Sequence, residues 1–380
     1  MSDKKVTVAA IGMGGYGMHY VERALNNSEE LGIECVGMVD VCPEKCKYID
    51  GVRAKNIPVY SSIEELYENH TPELVFISTP IQFHCPQACY ALEHGSNVLC
   101  EKPAAAIKED VEKMIETSEK TGKFLAIGYQ RSYASAELNA KRDVLAGKYG
   151  KPLKFKSIIV QRRPLTYFER GWAGRIKIGD SFVYDSVANN SCAHYLHQLF
   201  FMAGDKLNTS AFPVESEARL YRVNDIENFD TITSKFVTDN GVQIYFGATQ
   251  CGEDNFLPYT VCEFEKGTIT FEQQGETVVG RLNSGEEIVY GSLREENFEK
   301  IPLCIDAVRG ADTVYCDAKT TLPHAMAVDY IQKNCEIKTL ENWEIINATP
   351  EEENPIYVKV LKGLKEKMIE CFENESMLEL

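Results

Sequence analysis

Along the first third of the chain, apolar runs at 6–11, 35–39, 74–78, 97–100 and 124–127 scarcely alternate with polar residues. Such runs predict strands of a parallel sheet covered on both faces. The stretches between them have helical spacing and helical punctuation. Ser62-Ile63-Glu64-Glu65 is a capping-box pattern, and Gly95 and Gly122 stand where helices should stop before the next strand. Repeated strand–helix units with short connections predict right-handed crossovers and a doubly wound sheet.

Beyond residue 130 the texture changes. A helical pattern at 136–146 precedes a longer strand at 153–161, and a second helical pattern covers 189–202. Strands dominate from 216 onward. The runs 231–238 and 242–249 flank Asp239-Asn240-Gly241, and 262–265 and 268–272 flank Lys266-Gly267. Both are hairpin signals. Helices are predicted at 298–309, 323–334 and 356–372, with the acidic stretch 349–355 as a linker. The expected fold class is α/β: an N-terminal Rossmann-type doubly wound parallel sheet over residues 1–130, then an α+β domain over 131–380. The second domain should hold an open, mainly antiparallel sheet with helices on one face. Its C-terminal helix, 356–372, is free to pack back on the first domain.

Where the first strand should hand over to a helix, residues 8–25 read VAAIGMGGYGMHYVERAL. Gly12-Met13-Gly14-Gly15-Tyr16-Gly17 fits G-x-G-x-x-G in strand-to-helix context. Gly12 would allow the tight turn, Gly14 the approach of a pyrophosphate, and Gly17 close helix–strand packing. The helix N-terminus offers N–H groups to the phosphates. Asp40 ends the second strand, where a carboxylate accepts both ribose hydroxyls and repels a 2′-phosphate. NAD is therefore favoured over NADP.

Composition narrows the partners. The chain has 380 residues, 44% apolar and 26% charged, with a formal charge of −17. Such a field disfavours nucleic acid and anionic membrane surfaces. No apolar run reaches membrane-span length, and MSDKK leads to the first strand without a signal-peptide core. Thirteen scattered cysteines suit a reducing, cytoplasmic setting and lack the spacing of a metal site, so no metal is expected.

The turns after the remaining parallel strands read TPIQFH, EKP and GYQR, all on the edge where open α/β sheets bind ligands. In that order they resemble the glucose-fructose oxidoreductase / inositol dehydrogenase / rhizopine catabolism (Gfo/Idh/MocA) family. The resemblance covers residues 6–204 by motif and the later sheet by architecture. It implies a dinucleotide-dependent oxidoreductase acting on a small carbohydrate or cyclic polyol, in homodimers or homotetramers. By position, Lys102 would touch the nicotinamide ribose and the reacting hydroxyl, and Glu101 would accept a hydrogen bond nearby. Thr79, Pro80, His84, Gln130 and Trp172 would also border the cofactor. A lysine beside oxidised nicotinamide is favoured in its neutral form, which suits proton relay.

The second element is YDSVANNSCAHYLHQLFFMAG, residues 184–204. Family members show Asp-x-x-x-His here. His194 stands at the histidine, but Asn190 occupies the aspartate position, a departure that leaves proton transfer to Lys102 and His194. Asn190, His194 and Gln198 are spaced to share a helix face, and Asp185 replaces the carboxylate only if the backbone turns before the helix. His197, Arg131, Arg163 and Tyr167 complete the expected substrate residues. Two rival functions use the same cofactor: a redox-neutral glycosidase or lyase that recycles NAD in place, and a non-catalytic sugar-pathway regulator.

Overall fold

The computed structural model describes residues 4–272, 277–293 and 297–380. Strands β1 (Val6–Ile11), β2 (Ile33–Val39), β3 (Val59–Tyr60), β4 (Leu74–Ile77), β5 (Asn97–Cys100) and β6 (Leu125–Ile127) form one sheet, ordered β3-β2-β1-β4-β5-β6. Every pairing is parallel. This is a Rossmann order with its switch point between β1 and β4, which sets the carboxyl ends of β1, β4 and β5 side by side. The two-residue β3 has no apolar run to announce it. The unit built on this sheet runs to Tyr129 and also takes in Phe298–Thr321, a segment expected in the second domain. The Ile127 N–H donates to the Cys316 carbonyl at 2.8 Å, and Arg309 Nη2 donates to the Gly32 carbonyl at 3.1 Å.

The second unit comprises Gln130–Asn297 and Leu322–Leu380. Its nine-stranded sheet has β7 (Pro152–Arg162) near its middle. On one side of β7 follow Cys251–Phe264, Gly267–Phe271, Thr277–Leu282 and Glu287–Ser292, all antiparallel neighbours. On the other side follow Gln243–Thr249, Thr231–Thr238, Pro213–Arg222 and Ile337–Thr339. The two outliers are parallel pairs, β7 with Gln243–Thr249 and Pro213–Arg222 with Ile337–Thr339.

The expectation of helices on one face is corrected. Phe200 of helix Ala193–Met202 meets Phe236, which pairs with Ile244 and so shares its face. The next residue, Tyr245, points the other way and meets Phe372 of helix Leu364–Asn374. Alternation along a strand therefore puts one helix on each face. The C-terminal helix packs with Ile158, Val160 and Tyr245 of its own sheet. It is also shorter than expected. Residues 357–360, Tyr-Val-Lys-Val, form a strand paired with Glu344–Asn347, so 349–355 is the loop of a hairpin. Among the described residues no helix is long and apolar enough to cross a membrane, and no group of three or more His, Cys, Asp or Glu is placed to hold a metal ion.

Candidate active site

The glycine turn starts at the last residue of β1. Gly12 has φ +88°, and a Cβ there would stand 2.7 Å from the Ser78 carbonyl oxygen. A Cβ on Gly17 would stand 2.1 Å from the Gly12 carbonyl oxygen, so the turn and the helix Met18–Asn26 close on one another only without side chains. Gly14 differs: nothing lies within 4 Å of its Cβ position. Space is open beside its backbone. Gly15 has φ +54°, and Tyr16 is partly exposed at the turn's rim. Asp40, at the end of β2, holds the turn: Oδ2 accepts the Met13 N–H and Oδ1 the Cys42 N–H, both at 2.7 Å. Each oxygen has lone pairs left for ribose hydroxyls, so the residues present fit a dinucleotide.

The turns after β4 and β5 are tied together by His84. It is buried, with Nδ1 2.8 Å from the Pro103 carbonyl and Nε2 2.8 Å from the Thr79 carbonyl. Burial lowers its pKa, against the pull of those two carbonyls. His84 thus braces the loops instead of presenting a ring nitrogen at the surface. Thr79 Oγ1 donates to Gln87 at 2.6 Å, and Pro80 is exposed. Glu101 is turned inward. Oε1 accepts the Tyr20 hydroxyl at 2.5 Å and the Lys300 ammonium, and Oε2 accepts the Lys102 N–H at 3.2 Å. Lys102, half-buried, precedes Pro103 through a cis peptide. Lys300 is wholly buried, with its Nζ also 3.3 Å from the Gly128 carbonyl. Sequence reasoning missed it, because a single lysine opening an apolar helix carries no local signal.

In the second unit the backbone turns sharply just before the helix. Tyr184 has φ +41°, an uncommon conformation for an aromatic residue. Residues Val187–Ser191 then form a π-helical turn, capped by Ser186, which accepts the Asn189 N–H. Between these features lies Asp185, buried, with Oδ2 accepting the Gly174 N–H at 2.6 Å and Oδ1 accepting the Asn190 side-chain amide at 2.7 Å. The backbone turn required for Asp185 to take part is present. A carboxylate that receives Nδ2 turns the Asn190 carbonyl oxygen the other way.

The expected wall of Asn190, His194 and Gln198 is interrupted at its first step: His194 and Gln198 stay four residues apart in helix Ala193–Met202, whereas Asn190 lies in the π turn before it. The wider π turn and the non-helical Cys192 interrupt the four-residue register. Gln198 points inward to donate to Glu137 at 2.6 Å, whereas His194 is half-buried at the start of its helix. His197 is also set into the interior, with Nε2 3.1 Å from Ser132 Oγ. Its pKa is lowered well below the ordinary value by burial, then by His324 and Lys141. Arg131, buried, lies over the Tyr195 ring at 4.2 Å, and Gln130 donates to Asn297 at 3.1 Å. Arg170 lies over both Tyr167 and Trp172, at 3.8 and 4.4 Å, and Arg163 lies 5.1 Å from Tyr167. These cations are stacked on ring faces.

Comparison with known proteins follows this geometry. Residues 6–129 match the family described as oxidoreductase family, NAD-binding Rossmann fold (GFO_IDH_MocA). A 1-carboxy-3-chloro-3,4-dihydroxycyclohexa-1,5-diene dehydrogenase of Comamonas testosteroni is 39% identical over 93 residues, 24% of this chain and 23% of that protein. A glycosyl hydrolase family 109 protein of Porphyromonas gingivalis is 28% identical over 255 residues, 62% of this chain and 53% of that protein. The chain thus spans about a quarter to about half of these relatives' length. The WlbA dehydrogenase of Bordetella pertussis, solved with NADH and UDP-GlcNAcA, shares the fold: TM-score 0.68 at 19% identity, covering 86% of this chain and 96% of that one. Strand order, glycine turn and sequence match agree: residues 6–129 match the NAD-binding Rossmann domain of the Gfo/Idh/MocA oxidoreductase family.

Proposed function

We propose that this chain is an NAD-dependent oxidoreductase acting on the CH–OH group of a sugar, glycoside or cyclic polyol, with Lys102 and His194 handling the hydroxyl proton. The observation that carries the reading is the arrangement at the carboxyl edge of the parallel sheet. The open Gly14 backbone, the Asp40 carboxylate and Lys102 all stand at strand ends of that one edge. Bound NAD would supply the hydride acceptor. Asp40 binds the ribose hydroxyls and disfavours the 2′-phosphate of NADP. Lys102, its backbone fixed by Glu101, takes or returns a proton as the hydroxyl carbon is oxidised or reduced. His194 is the second proton carrier, and Asn190, oriented by Asp185, accepts a substrate hydroxyl. Arg131, Arg163, Tyr167 and Trp172 supply donors and ring faces for a polyhydroxylated substrate.

Incubating the protein with NAD or NADP and a panel of sugars, polyols and glycosides, while following reduced-nicotinamide absorbance, tests this. Turnover with NAD and weaker turnover with NADP is expected; equal use of NADP would remove the role given to Asp40. The likeness to a glycosyl hydrolase family 109 protein favours one second reading. Oxidation of a sugar carbon acidifies the neighbouring C–H and permits loss of a glycosidic group, after which the ketone is reduced again. Release of aglycone without accumulating reduced cofactor identifies that cycle. A homodimer or homotetramer in the cytoplasm is the expected working form, and light scattering reads the assembly.

A further inference from the structure

We propose that Lys300 is an electrostatic positioning residue for Lys102: by pairing with Glu101 it cancels the buried charge of the residue that precedes Lys102 and holds its backbone, and so keeps the Lys102 amine able to lose its proton near neutral pH. The inference rests on the assignment of Lys102 as a proton carrier. Three observations support it. Lys300 is wholly buried at the first position of helix Lys300–Val308, where the helix dipole opposes a cation. A buried ion pair is often no more stabilising than a well-packed apolar pair of similar volume, so stability alone does not account for its presence. And the carboxylate it neutralises accepts the N–H of Lys102 itself. Left alone, that carboxylate would favour the ammonium form of its neighbour.

The surroundings are shaped to the pair. A Cβ on Gly128 would stand 2.9 Å from both Glu101 oxygens, so a side chain there would displace the carboxylate. From the first helix and its turn, Tyr20 donates to Glu101, and the Tyr16 hydroxyl lies 3.5 Å from Lys300 Nζ, with Arg23 acting on Tyr16. Cys304 faces Tyr20 from the helix of Lys300, Cys100 faces Glu101 from β5, and His84 faces both Glu101 and Lys102 from helix His84–Glu93. The Lys300 pKa is raised despite burial, by Glu101 and then Tyr16, so it stays charged. Tyr16 and Tyr20 hold their protons, their pKa values raised chiefly by burial. The Glu101–Lys300 pair therefore sets two opposite charges into the interior next to Lys102 in the chain.

Trace acylation of the unliganded protein with acetic anhydride across pH, with the Lys102 peptide quantified by mass spectrometry, reads the titration of that amine without cofactor or turnover. Lys300→Met should raise the Lys102 midpoint by about one pH unit, roughly a tenfold loss of neutral amine at a fixed pH below it. Glu101→Gln leaves a buried cation instead and should lower the midpoint. The neutral pair Glu101→Gln/Lys300→Met should return it to within a few tenths of a unit. Should Lys300→Met fail to fold, the other two variants carry the test. Midpoints that do not move, or that move the same way in both single variants, would overturn the proposal. Turnover surviving in Lys102→Ala would instead remove the assignment of Lys102, whatever the labelling shows.

Discussion

Glu101 and Asp185 are both carboxylates set almost out of contact with water, 7% and 3% exposed, but they are held in different ways. Asp185 is bound by groups 11 and 5 residues away, the Gly174 N–H and the Asn190 amide, inside one continuous loop-and-turn segment. Glu101 is bound by a cation 199 residues along the chain. Donors close in the chain reach both Asp185 oxygens, whereas Glu101 faces the opposite charge of a distant lysine. The first arrangement suits a group that orients a neighbouring amide. The second suits a group that must support a backbone without imposing its charge on what lies beside it.

Several changes would sharpen or break this contrast. The largest effect is expected from the proton carriers themselves: Lys102→Ala and His194→Ala should each lower kcat by roughly 10²–10⁴, the range for a positioned acid or base. Steady-state kinetics beside NAD titration would check that His194→Ala leaves cofactor affinity nearly unchanged. Next, breaking the distant pair from one side with Glu101→Leu should cost about 3–5 kcal/mol by denaturant unfolding, whereas Glu101→Leu/Lys300→Met should lie near wild type. If the double variant is as unstable as the single one, the pair is a packing element and the contrast fails. Asp185→Asn, which keeps shape but removes charge, should cost about 1.5–3 kcal/mol, the scale of charge-assisted hydrogen bonds.

The smallest effect concerns pH. His84 and His197 both have lowered pKa values, first through burial. Unfolded, they bind protons at their ordinary value of about 6.5; folded, they do not. Their contribution to stability is therefore present above that value and lost as pH falls below it. The urea midpoint should drop between about pH 7.5 and about pH 5.5, and His197→Gln should flatten part of that drop, provided the variant folds.

What the sequence disclosed follows the same division between near and far. The turn from Gly12 to Gly17 and Asp40 were legible because strand, turn, helix and second strand follow one another at fixed spacing. The start of the C-terminal helix was misjudged because 357–360 alternates within a stretch that also has helical spacing, so strand and helix ran together. The register from Asn190 to His194 was misread for a subtler reason. Four-residue spacing places side chains on one face only where the backbone keeps an α-helical register, and the π turn at Val187–Ser191 does not. Lys300 was invisible because nothing local marks a charge whose partner lies in another part of the chain.

The return of Phe298–Thr321 to the first unit has a consequence for the order of events on the ribosome. At about 5–20 residues per second, roughly 10–40 s separate the synthesis of Glu101 from that of Lys300, 199 residues later. Throughout that interval the nascent sheet carries a carboxylate whose cation has not been made, and a group of this kind resists burial. The nucleotide-binding half, although encoded first, cannot finish packing until most of the second unit has emerged from the exit tunnel.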